Sequence, residues 1–112
     1  MKSDLKQKWV GALRSGVYKQ GIHYLKSLAG DQDEVYEYCC LGVLLDVAEK
    51  KFKPCKEEDY EFTQECDGDI WELSDALLDE FLITEKEQNK LIRMNDSGVP
   101  FGKIANWIEE NM

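Results

Sequence analysis

The 112-residue chain has few of the side chains that metal centres and cysteine enzymes need. It contains one histidine, His23, and four cysteines, none of which belongs to a C-x-x-C pair. Adjacent residues of a helix point about 100° apart, so Cys39 and Cys40 cannot easily hold one metal ion together. A catalytic thiol would have His23 as its only imidazole base. We therefore predict no metal site and no cofactor. We interpret the cysteine doublet mainly as packing for an apolar helix, with the Cys40 thiol as a candidate pocket contact.

Other catalytic and membrane signatures are missing as well. There is no Walker loop, G-x-G-x-x-G, G-x-S-x-G or H-E-x-x-H, and "DGDIWE" lacks the ligand order of an EF-hand. No apolar run approaches the roughly 20 residues that span a bilayer, and the start of the chain lacks the apolar stretch of a signal peptide. We predict a cytoplasmic protein that is not an enzyme and has no membrane partner.

The charges are distributed unevenly around a net charge of -9. Residues 1–29 contain six Lys or Arg residues and one acid, whereas residues 57–80 contain eleven acids and no basic residue. The first region would attract a small anion. The second would repel nucleic acid, or would imitate it towards a basic protein, although a solvated acidic face is the simpler interpretation. Direct binding of nucleic acid is therefore not expected.

Apolar residues at helical spacing predict about four to five helices. The predicted helices are residues 4–15, a helix after the cysteine doublet, one capped by Ser74, one from a Thr84–Glu87 capping box to Met94, and one opening at Pro100. The helix after the doublet is apolar around most of its circumference and should lie at the centre. Gly42 inside it suggests that another backbone or a ligand comes close there.

Aromatic and β-branched residues at 17–27 and 34–38 flank the turn-like "LAGDQD" and predict a β-hairpin. Tyr18, Tyr24, Tyr36 and Tyr38 would lie on that hairpin. Short strands at residues 60–62 and 70–71 are also predicted, around an Asp-Gly turn. The predicted fold is a small, mostly helical α+β single domain covering residues 1–112, with a β-hairpin packed on the helices.

Three segments of the chain, "ALRSGVYKQG", "YCCLGVLLDVA" and "ITEKEQNKLIRMNDSGVPFGKIANWIEE", match a common pattern. Together they resemble a family of small proteins encoded by tailed bacteriophages and prophages, which typically read LRSG-x-Y-x-Q, YCCLGVLCDLA and LND-x-G-x-SF-x-x-IA. This chain departs from that pattern at Leu45, where a third cysteine often lies, at Met94 and at Pro100. The resemblance implies a phage accessory protein, of a class that often counteracts host immunity.

The segment "LRSGVYKQG" supplies the first group of candidate binding residues. Arg14 offers a planar fork for phosphate, Ser15 and its neighbour expose backbone N–H groups, and Tyr18 and Gln20 would project from one face of a strand. An aromatic face, an amide and a guanidinium suit a nucleotide, and Tyr38 of the hairpin would add a second ring. The alternative is structural: Arg14 and Gln20 close a helix and a strand edge while Tyr18 packs on Trp9.

The segment "RMNDSGVPF" supplies Asn95 and Asp96, which follow a predicted helix and precede another. As Asx residues they can bond to the turn backbone, with Gly98 at positive φ. They could instead accept hydrogen bonds from ribose hydroxyls or a base amine at the rim of a pocket.

Two functions are compatible with these observations. The first is a homo-oligomeric protein that binds and sequesters a nucleotide-derived defence signal inside the infected bacterial host. The second is an acidic inhibitor that binds a host defence protein, with residues 57–80 imitating nucleic acid towards a nuclease.

Overall fold

The computed structural model describes residues 1–28, 36–55, 58–64 and 72–112; for Leu28 and for the strand residues between 52 and 64 it describes the backbone alone. These residues form five helices: α1 (Ser3–Ser15), α2 (Cys40–Val47), α3 (Asp75–Phe81), α4 (Glu85–Asp96) and α5 (Phe101–Asn111). The same residues form five strands: β1 (Lys19–Gln20), β2 (Lys26–Leu28), β3 (Tyr36–Tyr38), β4 (Phe52–Cys55) and β5 (Glu58–Gln64). The prediction of a small α+β fold is confirmed.

The helices begin and end where local chemistry favours it. Ser74 accepts a hydrogen bond from Leu77 N at 3.3 Å at the start of α3. The predicted capping box is present at α4, where Thr84 Oγ1 accepts from Glu87 N at 3.1 Å and Glu87 Oε1 accepts from Thr84 N at 2.9 Å. Two predicted boundaries shift. Pro100 is the N-cap of α5 rather than its first helical residue, and Asn95 and Asp96 are the last residues of α4 rather than part of the turn after it.

The strands form one sheet in the order β1-β3-β2-β5-β4. The predicted hairpin pairing is present as antiparallel β2 and β3, with Lys26 opposite Tyr38. The predicted first arm of the hairpin, residues 17–27, is divided in two: the chain leaves β1 after Gln20 and returns as β2 on the other side of β3. His23 has a φ of 73° in the connecting segment, and its N–H donates to Asp96 Oδ1 at 2.9 Å, so this segment is held by α4.

The second part of the sheet is an antiparallel pair of β4 and β5. The predicted strand at residues 60–62 lies within β5, whereas the one at residues 70–71 and its Asp-Gly turn lie outside the described residues. Strand β4 contains Pro54, which cannot donate a ladder hydrogen bond. It occupies the edge of the sheet, where such a residue is tolerated.

Helix α2 lies at the centre of the core, as its composition predicts. Every residue from Cys40 to Leu45 is buried. A Cβ atom added to Gly42 would lie 1.7 Å from the Leu25 carbonyl oxygen, so the glycine is required by the close approach of another backbone. Trp9 Nε1 of α1 donates to the Cys40 carbonyl at 2.9 Å and joins the two helices. Among the described residues, no helix has both the length and the apolar character needed to cross a membrane.

Candidate functional site

Asn95 is the centre of a buried hydrogen-bond network. Its side chain is 1% exposed although it is polar. Its Oδ1 accepts from Cys40 N, the first residue of α2, at 3.2 Å and from Gln20 Nε2 at 3.1 Å. Its Nδ2 donates to the Gly21 carbonyl at 2.8 Å and to Asp96 Oδ1 at 3.4 Å. The amide therefore joins the start of α2, the end of β1 and the end of α4.

Gln20 is engaged in the same way. Its Nε2 donates to Asn95 Oδ1 and, at 2.8 Å, to the Val99 carbonyl, while its Oε1 accepts from Phe101 N at 3.2 Å. Phe101 is the first residue of α5, whose N-terminal N–H groups lack partners inside the helix. Both amide hydrogens of Gln20 are used by the protein. We call Gln20 and Asn95 the amide network.

Asp96 extends this network towards the surface. Its carboxylate accepts from His23 N, and His23 Nδ1 lies 3.4 Å from its Oδ2. The three segments that carry the resemblance thus meet at one place, through side chains separated by about 75 residues in sequence. Their polar atoms already have protein partners, which gives the amide network a structural role. A ligand role for Gln20, Asn95 and Asp96 stays a prediction.

Arg14 and Ser15 also contact the protein itself. The Arg14 guanidinium donates to Asn106 Oδ1 at 2.6 Å and forms an ion pair with Glu109, so it joins the end of α1 to α5. The hydrogen bond from Arg14 lowers the pKa of the Glu109 carboxyl. Ser15 Oγ donates to the Ala12 carbonyl at 2.7 Å and accepts from Val17 N at 3.1 Å, which closes the helix end. Arg14 remains exposed, so a phosphate role for it stays a prediction.

Both cysteines of the doublet are buried free thiols. Burial raises the pKa of Cys39 to about 11 and that of Cys40 well above its ordinary value, so neither is a reactive thiolate at neutral pH. Cys39 is the N-cap of α2, and its sulfur accepts from Gly42 N at 3.4 Å. Cys40 has no exposed surface and its thiol faces the Leu91 carbonyl at 3.7 Å, so it lies inside the core; a pocket contact for it stays a prediction. Burial in the apolar core accounts for its position.

The remaining predicted residues, Tyr18 and Tyr38, belong to a group of side chains on one face of the sheet. We call this group the tyrosine cluster, and it consists of Tyr18, Lys26, Tyr36, Tyr38 and Asp46. Tyr36 and Tyr38 share a face because side chains of a strand alternate. Lys26 lies opposite Tyr38 on the neighbouring strand β2. Tyr18 precedes β1 on the other side of β3, and Asp46 comes from the last turn of α2.

The contacts within the tyrosine cluster are close. The rings of Tyr18 and Tyr38 pack edge to face with centroids 5.1 Å apart. The Lys26 ammonium lies 4.3 Å from the centroid of Tyr36 and 5.6 Å from that of Tyr38. The Tyr18 hydroxyl donates to Asp46 Oδ2. Tyr18 thus packs on Tyr38, and it also lies against the buried core that includes Trp9.

Partial burial alters the acid–base properties of this cluster. It raises the pKa of Tyr38 to about 12, and together with the hydrogen bond to Asp46 it also raises the pKa of Tyr18. It lowers the pKa of Lys26, and the negative charge of Asp46 opposes this change. The cluster therefore combines neutral phenols with an ammonium group that has lost part of its hydration. Such a group gains when an anion replaces the lost water.

Sequence reasoning misses three members of the cluster as binding residues, and places Tyr36 only on the hairpin. Lys26 enters it only as part of the basic first region, and Asp46 is not singled out. The available signal for Lys26 is its position in a predicted strand facing the tyrosine-rich strand. Asp46 has no such signal, since its proximity to Tyr18 depends on how α2 packs against the sheet.

A family model described as a domain of unknown function, DUF8296, matches residues 1–72. No curated protein and no solved structure matches the chain. The matched range contains α1, α2 and all five described strands, and therefore the whole tyrosine cluster. Asn95 and Asp96 lie beyond it, so the amide network joins the matched range to the helices that follow.

Proposed function

This chain belongs to the DUF8296 family, a domain of unknown function, and from that premise we propose that it is a non-catalytic binding protein for a nucleotide-derived small molecule, with the tyrosine cluster as its site. The observation that carries the proposal is the position of Lys26. Its partly dehydrated ammonium lies over the rings of Tyr36 and Tyr38 on a half-buried face of the sheet.

The chemistry of the tyrosine cluster suits a ligand that is both aromatic and anionic. A base can stack on or against tyrosine rings, and a phosphate can accept hydrogen bonds from the Lys26 ammonium. Asp46 supplies an acceptor for a base amine or a ribose hydroxyl. Binding would move the Lys26 ammonium from the ring faces to the phosphate, leaving those faces open for stacking.

The proposed biological role rests on the resemblance to phage and prophage proteins. We infer a phage accessory protein that sequesters a nucleotide signal of host immunity in the cytoplasm of the infected cell. Sequestration needs affinity and no chemistry. The half-buried tyrosine rings and the Lys26 ammonium can supply that affinity through stacking and charge, without a nucleophile.

The test is direct binding of a panel of linear and cyclic nucleotides by isothermal titration calorimetry, with mass spectrometry of the released molecule afterwards. We expect at least one nucleotide to bind and to be released with unchanged mass. Lys26→Met should weaken that binding about tenfold or more, because it removes the ammonium that the phosphate would contact, and circular dichroism should show that the variant is folded. The matched control is Lys19→Met, which alters an exposed lysine on β1, on the other side of β3.

The pH dependence gives a second readout. A bound phosphate favours the charged form of Lys26, so binding takes up protons and weakens as the pH rises through the pKa of Lys26 in the free protein. If nucleotide affinity does not change with pH or in Lys26→Met but is lost in Arg14→Ala, the binding site lies at the end of α1 instead. If no nucleotide binds, the proposal is wrong.

A second candidate is the acidic inhibitor of a host defence nuclease. Asp75 and Asp79 of α3 are exposed and have no ion-pair partner within the described residues, which favours a surface for a basic protein. The side chains of residues 57–64 and the whole of residues 65–71 lie outside the described structure. Capture of a CRISPR effector nuclease that weakens steeply with salt, and is lost on reversing Glu57, Glu58 and Asp59, would support this function. Salt-independent capture would contradict it.

A further inference from the structure

Helix α4 carries a surface whose two ends have opposite charge. At its N-terminal end a depression of about 550 Å³ is lined by Asp75, Asp79 and Glu85 around the exposed Leu82. Further along, a groove of about 310 Å³ between α4 and α5 is lined by three basic residues, Lys86, Lys90 and Arg93, together with Glu87, Trp107 and Asn111. We call these the acidic end and the basic end.

A third depression connects the two ends along the outer face of α4. It has a volume of about 590 Å³ and is lined by Glu85, Lys86, Asn89, Ile92 and Arg93. It shares Glu85 with the acidic end, and it shares Lys86 and Arg93 with the groove. The three depressions thus form one continuous surface along the helix.

Leu82 is unusual in two respects. It is 62% exposed, and its φ of 58° places it in the left-handed region at the C-cap of α3. Glycine or asparagine normally occupies such a position, because the Cβ of other residues is strained there. A large apolar side chain that is both strained and exposed contributes little to the fold of the isolated chain. Its presence is explained if Leu82 is covered by another molecule.

The charges of this surface are not neutralised within the described residues. Lys86, Lys90 and Arg93 form no ion pair with any residue that the structure describes. The same holds for Glu85. By contrast, Glu80 of α3 is paired with Lys50 at 2.7 Å. The surface therefore offers charges of both signs to a second molecule.

We propose that α4 forms a two-fold symmetric dimer interface with α4 of a second copy of this chain, the two helices running antiparallel. A two-fold interface requires a surface that is complementary to itself. Glu85 and Arg93 lie eight residues apart, about 12 Å along the helix axis, with Asn89 at the midpoint. A two-fold axis through Asn89 places each Glu85 opposite Arg93 of the other copy. The same axis brings the acidic end of each copy, with Leu82, towards the basic end of the other copy, with Trp107.

The test is the mass of the protein in solution, by sedimentation velocity and light scattering over a range of concentrations. The wild-type chain should dimerise. Glu85→Arg alone and Arg93→Glu alone should each weaken the dimer about tenfold or more, because each places like charges opposite one another twice. An equal mixture of the two variants should restore it, because both opposed pairs are then of opposite sign. The double variant in one chain should restore it too.

Matched reversals at exposed sites of α1, Asp4→Arg and Lys8→Glu, should leave the dimer unchanged, and circular dichroism should show that all variants are folded. Removing the apolar contact with Leu82→Gly should weaken the dimer without unfolding the chain. A wild-type chain that stays monomeric at about 1 mM overturns the proposal. So does a dimer that neither reversal weakens. Reversals that weaken the dimer but are not restored by mixing would exclude the antiparallel two-fold arrangement.

Discussion

Replacing Asn95 by alanine should be among the most destabilising single changes in this chain. The side chain is 1% exposed and makes four hydrogen bonds, two of them to backbone groups. Its removal leaves Cys40 N at the start of α2 and the Gly21 carbonyl without their side-chain partner. It also leaves Gln20 Nε2 with one acceptor fewer, although that nitrogen still donates to the Val99 carbonyl.

The size of this loss in stability depends on the backbone groups that Asn95→Ala leaves without a hydrogen-bond partner. An unsatisfied buried backbone group costs about 1–3 kcal/mol, so two of them give roughly 3 kcal/mol in the free energy of unfolding. The free energy of unfolding of a small domain is about 5–15 kcal/mol in total, so Asn95→Ala would remove a large fraction of it. Urea denaturation monitored by circular dichroism measures it directly.

A matched control is Asn106→Ala. Asn106 accepts one hydrogen bond from Arg14 at an exposed position, and its removal should cost less than about 1 kcal/mol. A loss below about 1 kcal/mol for Asn95→Ala would refute the structural role of the amide network. If that small loss came with abolished nucleotide binding, the ligand role predicted from the sequence would be favoured instead.

Three further predictions concern backbone strain and tyrosine ionisation. Gly42→Ala should lower the free energy of unfolding by at least about 3 kcal/mol, because its Cβ would overlap the Leu25 backbone. Gly11→Ala, in open space on α1, should raise the free energy of unfolding by about 0.5–1 kcal/mol. The denaturant midpoints of the two variants measure this difference. Leu82→Gly should raise the free energy of unfolding of the monomer by on the order of 0.5 kcal/mol, since relief of strain exceeds the added chain entropy, and an unchanged or lower value would contradict this. Spectrophotometric titration at alkaline pH should show Tyr18 and Tyr38 ionising later than a free tyrosine. Folding raises the pKa of these phenols, so their contribution to stability is complete below the unfolded pKa of about 10. That contribution is lost as the pH rises towards 12 for Tyr38. A denaturation midpoint independent of pH in that window would refute the burial of these phenols.

Local sequence chemistry determined the helices of this protein. Ser74 and the Thr84–Glu87 capping box mark helix starts, and Gly16, the left-handed C-cap of α1, marks a helix end, because such effects act over three or four residues. The apolar circumference of α2 also predicted its central position, and Gly42 predicted a close backbone approach. These features depend on periodicity and local hydrogen bonding, which the sequence displays directly.

Tertiary structure alone decided which protein groups the polar candidate residues contact. The sequence brought Gln20 and Asn95 forward as ligand contacts, but their amides bond to each other and to the starts of α2 and α5 across the whole chain. The sequence also could not show that β1 and β2 lie on opposite sides of β3, because that arrangement depends on the segment that α4 holds at His23. Nor could it place Lys26 over Tyr36. A polar side chain can serve a ligand or the fold, and only long-range contacts determine which hydrogen-bonding partners reach it.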